Sequence, residues 1–197
     1  MMRSSEARFG ARLVLGLGLA LASLATARAV LAASLCQADE SVAFSCATGS
    51  KLASLCASRK GDTLDALVYR FGAPGRIEKE FRASQDNQNR FSGFVSPANP
   101  RASVREIWFE QGPFTYLLTQ CVGGDCAHPA GIAVLRDGKL KLNAYCAFDP
   151  KNDTAWFAPE LVEFGSDLQD SKSKTNLLKL EEADHPIYKI YKPSRVY

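Results

Sequence analysis

Six cysteines, Cys36, Cys46, Cys56, Cys121, Cys126 and Cys146, are spread over one stretch of this 197-residue chain, and the segment before them has none. An even cysteine count in an exported chain reads as a disulfide framework, and six allow up to three bridges in fifteen pairings. The segment before them supplies the export signal. Arg3, Arg8 and Arg12 make a positive start, and Leu13 to Ala25 is an apolar run. Ala27-Arg28-Ala29 and Val30-Leu31-Ala32-Ala33 then offer the small side chains that a signal peptidase accepts. Residues 1–33 are therefore expected to be a signal peptide. The rival, an uncleaved anchor over Leu13 to Leu35, would carry Arg28 inside the span, which costs a few kcal/mol. Lipid attachment at Cys36 is disfavoured because the bulky Leu35 precedes it.

Charge narrows the function classes. Arg3, Arg8, Arg12 and Arg28 lie before Ser34, as does Glu6, and the remaining 20 basic and 20 acidic residues balance. A nucleic-acid surface needs a basic patch that survives processing, so that class is set aside. No stable membrane insertion is expected once the leader is removed.

From Val42 to Cys146 the chain alternates apolar and polar residues between turn signals, the mark of half-buried strands. Leu64, Ala66 and Val68 are assigned to one face and Leu67, Tyr69 and Phe71 to the other, which predicts a central strand buried on both sides. Ala73-Pro74-Gly75 and Gln111-Gly112-Pro113 read as turns. Asp137-Gly138, between Gly131–Arg136 and Lys139–Cys146, carries the type I′ hairpin signature. Arg82 to Arg101 reads as a long exposed loop with a short strand at Phe91 to Val95. These features predict an all-β domain over residues 36–148, an antiparallel sandwich or barrel of about seven or eight short strands. Residues 149–197 read as a partly helical, partly mobile extension. One short helix would open near Pro159, and Asn176 to Ala183 would add another turn or two.

Catalytic signals are sparse. His128 and His185 are the only histidines, and Gly-x-Ser-x-Gly, His-Glu-x-x-His and Gly-rich phosphate loops are absent. The paired acids Glu78/Glu80 and Glu181/Glu182 read as solvated faces. The most distinctive local feature is Cys121-Val122-Gly123-Gly124-Asp125-Cys126. Its two glycines allow a tight reversal, which would bring the cysteines within bridging distance. As a function this is a disulfide-locked loop, preorganised to enter a partner's cleft. As pure structure it is a staple on a hairpin end. Metal ligation by Cys121, Cys126 and His128 lacks a fourth ligand at suitable spacing, and no metal or cofactor is expected. Cys36, Cys46, Cys56 and Cys146 read as structural disulfide residues. Cys46 and Cys56 sit too near a shared turn to face each other, so Cys146 is the natural partner of one of them. The aromatics Tyr69, Phe71, Trp108, Phe109, Phe114 and Tyr116 read as core. The Asn/Gln-rich stretch Asp86 to Phe91 reads either as a recognition loop or as disordered filler.

Two resemblances add to this. Val42-Ala43-Phe44-Ser45-Cys46, Leu52-Ala53-Ser54-Leu55-Cys56-Ala57-Ser58 and Tyr69-Arg70-Phe71-Gly72 resemble a family of uncharacterised exported bacterial β-rich proteins, which implies export and fold without an activity. Cys121 to Val134 is similar to the loop region of the periplasmic inhibitors of vertebrate lysozyme, whose loop plugs the enzyme's active cleft. In that family a His precedes the Asp. Here Gly124 stands in that place and His128 follows the second cysteine. The resemblance carries over to Cys121, Asp125, Cys126 and His128, and with Gly123 and Gly124 of the tight reversal these make up the expected partner-binding loop. The expectation is an exported, non-catalytic envelope protein that binds another protein, in its sharpest form a lysozyme-like or other cell-wall hydrolase. A secreted hydrolase using Asp/Glu chemistry, with Asp125 or Glu106 as the residues to test, and a structural envelope component are the alternatives.

Overall fold

The structure, a computed structural model, describes residues 34–61, 63–99, 102–123, 128–147 and 177–180. Strands β1 (Ser41–Thr48), β2 (Lys51–Lys60), β3 (Thr63–Ala73) and β4 (Arg76–Ser84) form an antiparallel meander in the order β1-β2-β3-β4. The second sheet has six strands in the order β10-β5-β6-β7-β8-β9. These are β5 (Phe91–Asn99), β6 (Ala102–Gln111), β7 (Phe114–Gly123), β8 (Ala130–Arg136), β9 (Lys139–Tyr145) and β10 (Leu178–Leu180). The described residues are thus all-β and disulfide-bonded. Two turns show why their sequences were chosen. Asp137 and Gly138 both take positive φ, 50° and 71°, as a type I′ hairpin requires. Gly72, at φ 153°, lies where a Cβ would come within 2.2 Å of the Arg76 carbonyl oxygen, so a side chain there would split the β3–β4 hairpin.

The inner faces of the two sheets meet in one core. Phe44, Leu55, Leu67, Tyr69 and Phe81 come from the first sheet, and Phe91, Ile107, Phe109, Leu118 and Ile132 from the second. Aromatic rings fill its centre: Phe81 and Phe109 stack at 4.1 Å, and Phe109 and Tyr116 at 4.8 Å. Along one side the sheets are tied together. Cys46 on β1 bonds Cys146 just past β9 (Cα–Cα 4.9 Å), and the Ala147 N–H donates to the Ala47 carbonyl at 2.8 Å. Closing a loop of 100 residues contributes about 4–5 kcal/mol in the chain-entropy account.

The outer face of the four-stranded sheet is covered by residues 34–40. Cys36 bonds Cys56 on β2 (Cα–Cα 5.4 Å). The Leu35 N–H donates to Ser54 Oγ, and the Leu35 carbonyl accepts from Arg70. Arg70 is only 4% exposed yet fully engaged, since its guanidinium also binds both carboxylate oxygens of Glu40 and Glu80 Oε2 at 2.8 Å. Burial pushes the Glu40 carboxyl upward, but the Arg70 hydrogen bond, the Gln37 N–H and the charge of Arg70 outweigh it and hold it below the usual carboxylate range.

The strand pattern departs from the sequence expectations in four places. The stretch from Arg82 to Arg101, expected as a loop with a short strand at Phe91 to Val95, belongs mostly to strands, because β4 runs to Ser84 and the strand at Phe91 extends to Asn99, leaving 85–90 as the connection. Pro97 is tolerated because β10 pairs β5 only over Phe91–Gly93, so the N–H that proline lacks has no strand waiting on that side. Leu64 packs with Leu67 and Tyr69 rather than with Ala66 and Val68. A bulge opposite Ser58 and Arg59 inserts Asp65 and swaps the face. Leu178–Leu180, where helical turns were expected, is a strand parallel to β5, with Leu177 and Leu178 in the core. Among the described residues there are ten strands, nine of them within 36–148, where about seven or eight were expected. The remainder of the 149–197 extension and residues 1–33 lie outside the described residues.

Candidate functional site

The outer face of the six-stranded sheet is built from alternate residues of β5 to β9. The pairing aligns Phe94, Glu106, Thr119, Gly131 and Tyr145 in one row across the sheet, and Ser92, Trp108, Leu117, Ala133 and Asn143 in the next. Val104 and Cys121 form a third row beside the first. Cys121, Gly123 and His128 flank one connection in the sequence, which does not show what lies beside it. The structure brings that loop's base to the same face as Glu106 and Tyr145.

Cys121 lies near the end of β7 and is disulfide-bonded, so its sulfur is not a thiolate available to a metal. Its N–H donates to the Pro129 carbonyl at 2.8 Å, which closes the base of the β7–β8 connection. Gly123 ends β7 at φ 128°, a conformation that L side chains avoid, and pairs with Ala102. Gly124, Asp125 and Cys126 lie outside the described residues. His128 is exposed and stacks on the Tyr145 ring, centroids 3.6 Å apart and planes 17° from parallel. Tyr145 is itself 39% exposed, so this pair presents an aromatic surface to solvent. Tyr145 was not singled out in the sequence because it ends an ordinary-looking strand. Only the register shows that it lies beside Gly131, whose missing Cβ would come within 3.5 Å of its ring.

Glu106, considered in the sequence only as a rival's catalytic residue, is the unusual ionisable group on this face. It is 1% exposed, and neither carboxylate oxygen has a hydrogen-bond partner among the described residues. Desolvation pushes its pKa up to about 8, so the carboxyl is mostly neutral at pH 7. Its cross-strand neighbours are Phe94 and Thr119, and the Thr119 hydroxyl is spent on the Gly131 carbonyl at 3.2 Å.

The other cysteines act as staples. Cys36, Cys56 and Glu40 place ligand-type atoms within 4.8 Å of one another, but the sulfurs are bonded together and Glu40 binds Arg70. The Asp86 to Phe91 stretch is an ordered turn. Asn87 Oδ1 accepts from the N–H groups of Ser84 and Asn89, and Arg90 binds the carbonyls of Asn87 and Asn89. A mostly polar depression of about 340 Å³ lies between this turn, Trp108 and Glu110.

The two bridges Cys36–Cys56 and Cys46–Cys146 are consistent with an oxidising extracellular or periplasmic location. No protein-family model, curated protein or solved structure matches the chain.

Proposed function

We propose that this is an exported, non-catalytic binding protein whose β7–β8 end engages a protein partner, and that the partner is a lysozyme-like or other cell-wall hydrolase. The observation that carries the reading is the fixed base of that connection. The Cys121 disulfide and the hydrogen bond from Cys121 to Pro129 anchor it, and the exposed His128–Tyr145 stack stands beside it. A connection held at its base loses less conformational entropy on binding, and amphipathic aromatic rings are favoured contacts at interfaces. The similarity of Cys121 to Val134 to the inhibitors' loop supplies the choice of partner, with His128 beyond the second cysteine rather than before the Asp.

The test is to add the oxidised protein, secreted from an oxidising host, to several lysozyme classes and follow clearance of a cell-wall suspension. Dose-dependent inhibition of at least one class is expected, weakened by His128→Ala. Full activity of every class at a large excess of the protein would overturn the reading.

One observation favours a second reading. A carboxyl kept protonated near neutrality, as Glu106 is, suits a general acid. Hydrolysis of a glycoside would need a second carboxylate facing it across a cleft, and the cross-strand neighbours of Glu106 are Phe94 and Thr119. Turnover of a cell-wall glycan that disappears in Glu106→Gln would favour the enzyme. Inhibition that survives in Glu106→Gln would favour the binding protein.

A further inference from the structure

We propose that the outer face of the six-stranded sheet is a docking surface, and that its occupant is the chain's own segment 148–176. The first ground is burial. Phe94, Trp108, Leu117 and Ala133 form a buried cluster on that face, and Trp108, at 2% exposure, leads the largest fully buried side chains. No strand among the described residues lies over this face, while the inner face is filled by the first sheet. Something else in the chain must exclude water from it.

The second ground is connectivity. β9 and β10 are at opposite edges of the sheet, with five inter-strand steps between them. Neighbours from β5 to β9 are all antiparallel, so β9 runs in the same direction as β5, and β10 is parallel to β5. The chain therefore leaves one edge strand and re-enters the opposite edge in the same direction, which demands a crossover over a face of the sheet. At roughly 4.8 Å per step the sheet is roughly 24 Å wide. The 29 residues of 148–176 could reach roughly 95 Å fully extended, enough to cross and pack. The inner route is closed by core. The way round the first sheet is longer, and its outer face is already held by residues 34–40.

The third ground is chemistry. Phe148, Trp156, Phe157, Leu161, Val162 and Phe164 all lie in this segment, an apolar complement to the Trp108 cluster. Its presence also explains why Glu106, in the middle of the face, is only 1% exposed. With the face occupied from within the chain, the surface left to a partner is the His128–Tyr145 end.

The test uses the full chain with a photoreactive benzophenone side chain in place of Thr115 or Asn143, both on the outer face and not fully buried. Arg82, on the outer face of the other sheet, is the control. Adducts from positions 115 and 143 to residues 148–176, independent of protein concentration and absent from position 82, are expected. Adducts to residues 181–197, adducts only between copies, or none at all would overturn the proposal. A second measurement needs no probe. The chain has two tryptophans, so Trp156→Phe leaves Trp108 as the sole emitter. Adding Phe157→Ser, Leu161→Ser and Phe164→Ser should raise acrylamide quenching of Trp108 several-fold. Unchanged quenching would overturn the proposal.

Discussion

The two outer faces each bury an ionisable side chain, and they treat it in opposite ways. On the four-stranded sheet Arg70 is surrounded by Glu40, Glu80 and the Leu35 carbonyl, so the charge is kept and every partner is spoken for. On the six-stranded sheet Glu106 has no partner for either oxygen among the described residues and keeps its proton instead. The low-dielectric interior permits both solutions, but it makes them fail differently. A paired charge fails when a partner is removed. An unpaired acid fails when the proton is removed.

The largest effect should come from breaking the pair. Arg70→Ala leaves the buried Glu40 carboxylate without its guanidinium partner, with the Gln37 N–H still donating to it, and should lower unfolding free energy by about 3–5 kcal/mol in urea melts, with much of the loss recovered by adding Glu40→Leu. If the single variant unfolds like the wild type, the contrast between the faces is void. Next comes the proton on Glu106. Its folded pKa of about 8 lies above the ordinary carboxyl value of 4.5, so between those values the unfolded chain has released a proton that the folded chain retains. Stability is full below the lower value, falls by about 1.4 kcal/mol per pH unit on the way up, and levels off above the higher one. Glu106→Gln should flatten that slope in melts between about pH 5 and pH 8, and a slope that persists would reject the assignment.

A smaller effect is expected from the bridge that holds the first face's cover. Cys36→Ala with Cys56→Ala should cost about 3 kcal/mol and raise amide exchange in residues 34–40, leaving β6 and β7 protected. The smallest sharpens the opposition of sign. The Glu40 carboxyl is held below its usual range, so its contribution is present above that range and is lost as pH falls. Glu40→Gln should therefore reduce the acid dependence of stability, the reverse limb from Glu106→Gln.

Much of the fold was legible where its signals are local. Alternation gives Leu67, Tyr69 and Phe71 a face, Asp137-Gly138 gives a hairpin, and the short spacing of Cys46 and Cys56 rules them out as partners. The register agrees: Cys46 faces Ala53 and Cys56 faces Val42. What stayed hidden depends on distant chain. Val104, Glu106 and Trp108 alternate with Ile107 and Phe109, so β6 is buried on both faces. That was the available sign that a second layer would cover it. It does not say which segment supplies the layer. Asp65 carries no mark of the bulge that moves Leu64, because the bulge is set by the partner strand. The pairing of Glu40 with Arg70 spans 30 residues and exists only once 34–40 folds back over the sheet. Of the candidate site, Cys121, Gly123 and His128 were found by composition, and Tyr145 only by register.

The order of the bonded cysteines has a consequence for how the molecule is made. Along the chain the partners interleave: Cys36 skips Cys46 to reach Cys56, and Cys46 skips Cys56 to reach Cys146. A catalyst that oxidises thiols in their order of emergence from a translocon would first join Cys36 to Cys46, a wrong linkage. Correcting it takes thiolate attack and exchange, which run over seconds to hours without help. If the chain is exported as proposed, its maturation is expected to draw on disulfide isomerase activity. A host with an oxidase but no isomerase should accumulate the Cys36–Cys46 species.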